Sequence, residues 1–270
     1  MDALEEIYPE LAQSQSGWRY QPGADAMQGR TILITGAGAG IGAAMAKTLA
    51  LYGANIVLLG KTRNKLESVF DWITTHTNTE PVIVPCDLTQ LTPDAVDNLA
   101  DSVQETYGGL HGLVHNASLL GAKTTIGLYP AEQWPEVFQV NVHAPFLLNR
   151  GLFRLLDAQH DSCVVHISST VGRQGRAYWG AYSASKFALE GLSEIFADET
   201  ESAGRIRVYS INPGGTRTKM RAQAYPAEDP TSVPLPESHM DMLLYLLAEP
   251  AGKSLPPTGS RLDARNWQPG

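Results

Sequence analysis

The sequence predicts an α/β protein, a single doubly wound domain with a parallel sheet flanked by helices on both faces. Three observations lead there. Short apolar runs of strand length alternate with longer amphipathic stretches along most of the chain. Buried strands that read as unbroken apolar runs, each followed by a helix, belong to parallel sheets covered on both sides. The first such run passes through a glycine-rich turn directly into a helix-forming stretch, and 270 residues with 43% apolar content can fill one large α/β core.

Residues 1–29 show no clear period and precede the first strand, which makes them an arm that either lies over the domain or is partly disordered. The domain itself runs over 30–270. Its first strand, 31–34, leads through Gly36, Gly38, Gly40, Ile41 and Gly42 into a helix over 43–50. Further strands are expected at 55–60, 82–86, 112–116, 163–168 and 206–211, with helices between them. Thr92 followed by Pro93 reads as an N-cap with proline in the first turn. Residues 219–236 hold Pro226, Pro230, Pro234 and Pro236 among mixed polar residues and read as a mobile loop. A helix near 240–247 and a short strand near 260–263 close the chain, and no internal repeat is evident.

Charge and cysteine content narrow the partners. A formal net charge of −8 argues against a general polyanion such as nucleic acid, which calls for a basic stripe. Cys86 and Cys163 sit in apolar strand-like runs and read as small buried hydrophobes rather than a disulfide or metal site, which suits a reducing compartment. The first thirty residues carry Asp2, Glu5, Glu6 and Glu10 without a long apolar stretch, unlike a signal peptide. No run approaches the ~18 apolar residues of a membrane span. A cytoplasmic, soluble protein without a metal is expected.

The chemistry is carried by two features. Tyr182 and Lys186 are four residues apart, so a helix would set phenol and ammonium on one face, one turn apart. A phenol that titrates near pH ~10 in water handles protons poorly at neutral pH, and a neighbouring cation favours its phenolate. On its own the pair is also what ordinary helix neighbours look like. The glycine turn between strand and helix is the second feature: glycines permit a tight turn and close approach of a pyrophosphate, and the helix start offers N–H groups and a positive dipole end.

Together these residues resemble the short-chain dehydrogenase/reductase family, whose pattern is Thr-Gly-x-x-x-Gly-x-Gly followed far downstream by Tyr-x-x-x-Lys. The likeness runs from about Arg30 to about Asp263. Asn116 and Ala117 match the family's Asn-Asn-Ala-Gly element, although here it reads His115-Asn116-Ala117-Ser118, with two of four positions departing. Asn141 matches the family's catalytic asparagine, and Ser169, thirteen residues before Tyr182, matches its catalytic serine. The run from Asn212 through Pro213, Gly214, Thr216, Arg217 and Thr218 is similar to the segment that embraces the nicotinamide. A narrower likeness, over 169–177 and 213–221, is to one bacterial branch of the family.

The resemblance implies a Rossmann-type domain and hydride transfer between a nicotinamide cofactor and a carbonyl or alcohol carbon of a small molecule. Tyr182 would exchange the proton on the substrate oxygen, helped by Lys186, which would lower the phenol's pKa and hold the ribose hydroxyls. Ser169 would hydrogen-bond the substrate oxygen, and Asn141 would hold a water joining Lys186 to solvent. The family's NAD users place an acid at the end of the second strand; here Gly60 stands there, followed by Lys61 with Arg63 close by, which favours NADP. The same two cations also read as solvated loop charges. Asp87, followed by Leu88, matches the residue that contacts the adenine amino group, and equally suits a turn.

Gln174, Tyr178 and Trp179 could line a pocket, with Met220 and Tyr225 reaching it from 219–236, where the family has its substrate lid. Arg173, Arg176, Arg217 and Arg221 either draw an anionic substrate or tie their loops down. Rival readings are a non-catalytic dinucleotide sensor or scaffold, and a sugar-nucleotide epimerase or dehydratase. Family likeness implies a homodimer or homotetramer built on 142–156 and 187–196, stretches that otherwise pack on the sheet. The ending, 264–270, departs from the family's glycine-rich one.

Overall fold

The structure, a computed structural model, describes residues 3–250 and 255–269; Asp2 and Gly270 lie outside the described residues. In chain order the elements are α1 (Ala3–Ile7), α2 (Pro9–Gln15), β1 (Thr31–Thr35), α3 (Gly40–Leu51), β2 (Asn55–Gly60), α4 (Arg63–His76) and β3 (Val82–Pro85). They continue with α5 (Pro93–Tyr107), β4 (Gly112–His115), α6 (Gln133–Phe138), α7 (Ala144–Asp157), β5 (Ser162–Ile167) and α8 (Gly180–Glu201). The last are β6 (Ile206–Asn212), α9 (Lys219–Ala224), α10 (Met240–Ala248) and β7 (Arg261–Asp263). This is the expected α/β class, with a seven-stranded sheet of the Rossmann type.

Two compact units divide the chain. The first comprises Met1–Pro85, Pro213–Pro256 and Asp263–Gly270, and the second Cys86–Asn212 and Pro257–Leu262. In the first, β2 lies between β3 and β1, all parallel, with Ile32 opposite Ile56 and Leu58 opposite Ile83. β1 is buried throughout, as a strand covered on both faces must be. Met45 and Leu49 of α3 and Leu66 and Ile73 of α4 fill its core. α10 packs on α3 and is buried on nearly every side, from Met240 to Leu247.

The arm belongs to this unit and is ordered over its described residues. Tyr8, Leu11, Trp18 and Met27 are buried. The Tyr8 hydroxyl donates to Glu237 Oε1 at 2.7 Å, and Trp18 Nε1 donates to the Glu237 carbonyl at 3.1 Å. Arg19 donates from its backbone to Asp241 at 2.9 Å and from its guanidinium to the carbonyls of Trp267 and Arg265 at 2.6 and 2.8 Å. Trp267, in the atypical ending, packs on Tyr245 with ring centroids 5.2 Å apart. The missing period has a physical reason: the arm's apolar residues serve a wrapped path, not one helix face.

Residues 219–236 correct the expectation of a plain loop. They carry α9, capped by Thr218, whose hydroxyl accepts from Arg221 N at 3.1 Å, and 3₁₀ turns at Pro230–Ser232 and Pro236–His239. Pro230 and Pro236 each open a helical turn, where the missing N–H costs nothing. Arg217 donates to the Pro230 and Val233 carbonyls at 2.8 and 3.3 Å, and Arg221 pairs bidentately with Glu228.

In the second unit β5 lies between β4 and β6, parallel to both, with Val165 opposite Val114 and Tyr209. All three strands are buried. Thr92 caps α5 as expected, accepting from Ala95 N at 3.2 Å, and Gly108 ends that helix at φ 72°. β4 stops at His115 and β5 begins at Ser162, each within one residue of expectation. Cys163 is buried in β5, but β3 ends at Pro85, so Cys86 lies past the strand and is half-buried; neither forms a disulfide.

Candidate active site

The second unit gathers Asn141, Ser169, Tyr182 and Lys186. Tyr182 lies in the first turn of α8 with Lys186 one turn on. Two glycines permit the local packing. A Cβ on Gly180 would meet the Tyr129 ring at 2.8 Å, and one on Gly172 would meet Lys186 Cβ at 2.7 Å and its backbone at 3.0 Å. The short turn after β5, Thr170–Gly172, therefore lies directly on α8, and Ser183 Oγ ties the two by donating to the Val171 carbonyl at 2.5 Å. Ser169 stands between β5 and that turn, its Oγ accepting from Val171 N at 3.4 Å. It is a capping serine whose hydroxyl also favours the ionised form of the Tyr182 phenol.

Tyr182 is 8% exposed. Burial pushes its phenol up to about 12, against the opposing pull of the Ser169 and Ser118 hydroxyls. Desolvation outweighs the stabilisation of the phenolate here. The Lys186 ammonium lies 5.6 Å from the phenol ring centroid and donates to the Ile167 carbonyl at 2.7 Å. Burial brings this ammonium down to about 8, with Glu190, one turn further along α8, acting in the other direction. Glu190 is itself held by Arg173 Nε at 2.8 Å and Ser210 Oγ at 2.5 Å.

Asn141 is 1% exposed and sits in a π-helical turn, Gln139–His143, between α6 and α7. Such turns recur at functional sites. Its Oδ1 accepts from Ser118 Oγ at 3.0 Å and Leu119 N at 2.8 Å, and its Nδ2 donates to the Leu119 carbonyl and to Ser185 Oγ, both at 3.0 Å. Ser185 Oγ in turn donates to the Tyr182 carbonyl at 2.8 Å. These bonds use both amide protons and both lone-pair directions. A water held by Asn141 would have to take its backbone carbonyl.

Ser118 and Ser185 are members of this network that the sequence reading did not place in the site. The available signal was Ser118's departure from the family's glycine. The other departure, His115, has a packing role: its ring stacks on His166 at 4.8 Å and its Nε2 meets Asn149 Oδ1 at 2.7 Å. Burial holds both imidazoles neutral, His115 at about 4 and His166 well below its ordinary value. Asn116 and Ala117 follow β4, with Asn116 N donating to the Val114 carbonyl at 3.1 Å. Asp87 accepts from Thr89 N and Oγ1 at 3.0 and 2.8 Å, so it forms a turn, and Leu88 beside it is buried.

The first unit gathers the glycine turn. Gly36 and Gly40 have φ of 67° and 55°, which favour glycine. A Cβ on Gly38 would meet Lys65 Cβ at 2.9 Å, and one on Gly40 would meet Thr218 Cγ2 at 3.3 Å. α3 starts at Gly40 with Ile41 and Gly42 in its first turn, and its N-cap, Ala39, offers no side-chain cap. Lys61 and Arg63 follow β2 and are exposed; Arg63 pairs with Glu67 at 2.8 Å. Gly214 adopts φ 74°, and Thr216, two residues on, is buried with its hydroxyl 2.9 Å from His239 Nε2. Pro213 opens this segment, and Thr218 serves as the α9 cap. The arginines Arg173, Arg217 and Arg221 all bind their own surroundings, the loop-tying alternative.

Among the described residues no group of three or more His, Cys, Asp or Glu could hold a metal ion, and no helix is long and apolar enough to cross a membrane.

Comparison with known proteins identifies the class. Residues 30–229 match the family model described as short chain dehydrogenase, and the chain belongs to that family of oxidoreductases. It is 43% identical to the oxidoreductase YciK of Escherichia coli (strain K12) over 93% of this chain and 96% of that one. A short chain dehydrogenase of Shigella flexneri 2a, solved in complex with NADP, superposes with a TM-score of 0.84 at 42% identity, covering 90% of this chain and 99% of that one. One from Escherichia coli CFT073, in complex with NADPH, gives 0.84 at 42%, covering 90% and 100%.

Proposed function

We propose that this oxidoreductase interconverts a carbonyl and an alcohol using NADP(H), with Tyr182 as general acid and base. The observation that carries the reading is the buried Tyr182 phenol beside the Ser169 hydroxyl, with Lys186 one turn below. The glycine turn fits a dinucleotide: it has two left-handed glycines, a position where any Cβ would collide, and a helix start without a side-chain cap. Gly36, Gly38, Gly40, Ile41 and Gly42 would hold its phosphates. Lys61 and Arg63 would favour the extra phosphate of NADP, in line with the relatives crystallised with NADP and NADPH. Asp87, Leu88, Asn116, Ala117, Pro213, Gly214, Thr216 and Thr218 complete the proposed contacts. When bound, the cofactor supplies or accepts the hydride.

Tyr182 is protonated at neutral pH and ready to give its proton to a carbonyl oxygen. Ser169 donates to the same oxygen as charge develops on it. Lys186 has three donors; one goes to Ile167, and the ammonium would also serve the ribose hydroxyls. In the reverse direction Tyr182 must first lose its proton, so alcohol oxidation gains rate as pH rises. Residues 219–236 would act as substrate lid. Phe146, Phe153, Phe187 and Ile195, exposed on α7 and α8, would pair subunits into a homodimer or homotetramer. A cytoplasmic location suits the cofactor.

The test is NADPH consumption against a panel of aldehydes and ketones. Stoichiometric oxidation is expected with at least one carbonyl, and tighter binding of NADH than NADPH would overturn the cofactor assignment.

A further inference from the structure

The segment 213–218, proposed to meet the nicotinamide end of the cofactor, is supported along its length by other parts of the first unit. A Cβ on Gly40 would meet Thr218 Cγ2 at 3.3 Å, so the glycine turn packs directly on the end of the segment. A Cβ on Gly214 would meet Arg265 Nε at 2.7 Å and its Cδ at 2.9 Å, so the Arg265 side chain lies across the start. Between these two, the buried Thr216 commits its hydroxyl to His239 Nε2 at 2.9 Å.

Two of these supports lead back to the N-terminal arm. His239 ends the 3₁₀ turn Pro236–His239. Two residues before it, Glu237 accepts the Tyr8 hydroxyl on Oε1 at 2.7 Å and Trp18 Nε1 on its carbonyl at 3.1 Å. Two residues after it, Asp241 accepts from Arg19 N at 2.9 Å. The arm therefore grips the chain on both sides of His239. Arg265 is held through its carbonyl, which accepts from the Arg19 guanidinium at 2.8 Å. Glu237, His239 and Asp241 are all buried, and burial denies them water as a substitute partner. A side chain locked by such bonds places its neighbours closely, as a site that must fit one ligand geometry requires.

We propose that the arm positions segment 213–218 for the nicotinamide half of the cofactor, with His239 as the positioning residue that passes its grip to Thr216. The phosphates, by contrast, would rest on the glycine turn, whose conformation comes from its own left-handed Gly36 and Gly40. The inference rests on the NADP(H) reading of the site.

The compound 2′-phospho-ADP-ribose is NADPH without its nicotinamide, so calorimetric titration of the full-length protein with each ligand isolates the nicotinamide end. His239→Leu should weaken NADPH binding roughly tenfold and leave 2′-phospho-ADP-ribose binding unchanged. His239→Gln, which keeps a hydrogen-bonding group for Thr216, should restore most of the loss. Tyr8→Phe, which touches the arm alone, should show the same split in smaller measure. Should His239→Leu not fold, Arg19→Ala, at an exposed position of the arm, takes its place. NADPH affinity equal to wild type in these variants, an equal loss for both ligands, or His239→Gln behaving like His239→Leu would overturn the inference alone. A wild-type protein that does not bind NADPH would overturn the cofactor reading and the inference with it.

Discussion

In the proposed mechanism Tyr182 takes its acid/base character from burial more than from its charged neighbour. With the phenol pushed up to about 12, the protonated form prevails at neutral pH, and the residue is a ready acid and a reluctant base. The Ser169 and Ser118 hydroxyls pull the other way without offsetting burial. Gly172 is the residue on which this arrangement is most exposed to change. Gly172→Ala puts a methyl 2.7 Å from Lys186 Cβ, and overpacking of this kind costs about 1–3 kcal/mol. Its melting temperature should fall by several degrees, with turnover falling more than NADPH affinity. Wild-type melting and turnover would contradict this packing. The buried imidazoles set an acid limit. His115 and His166 have folded pKa values below their unfolded ones, so the unfolded chain binds more protons once the pH drops beneath the ordinary histidine value of about 6.5. Stability is full above that value and is lost as pH falls from there toward about 4. Urea midpoints measured at neutral and mildly acid pH should show the loss, and His115→Asn should lessen it.

At the scale of elements, α8 and the glycine turn were legible because each has a local physical signature. Tyr182 and Lys186 need only helical periodicity to share a face, and Gly36 and Gly40 need only the left-handed backbone that glycine alone adopts cheaply. The network through Ser118 and Asn141 was not legible, since the two lie 23 residues apart in the chain and meet only after folding. Proline misled in 219–236: Pro230 and Pro236 start turns there instead of breaking structure. The arm escaped for a third reason. Tyr8 and Trp18 are not periodic with their neighbours, yet both bind Glu237, a carboxylate 7% exposed. Tyr8→Phe removes the donor to that buried acid and should cost about 1–3 kcal/mol. A denaturation midpoint equal to wild type would show that the arm's contact is dispensable.

For the whole molecule, the fold class was readable because parallel sheets leave continuous apolar runs: β1, β4, β5 and β6 are buried from end to end. The proposed preference for NADP rests on charge at the end of β2, where Gly60, Lys61 and Arg63 present no carboxylate. Replacing both cations, Lys61→Ala with Arg63→Ala, should weaken NADPH binding by about tenfold or more and leave NADH binding nearly unchanged. Calorimetric titration of both cofactors checks it. Subunit pairing on α7 and α8 predicts a dimer or tetramer in light scattering, and Phe187→Glu should shift it toward monomer.

NADPH oxidation by Y182F, measured beside the wild type with the best carbonyl of the panel, bears most directly on the chemistry. Turnover should fall by a factor of about 100 or more while NADPH binding is kept. A Y182F enzyme that reduces the carbonyl at the wild-type rate would contradict the account.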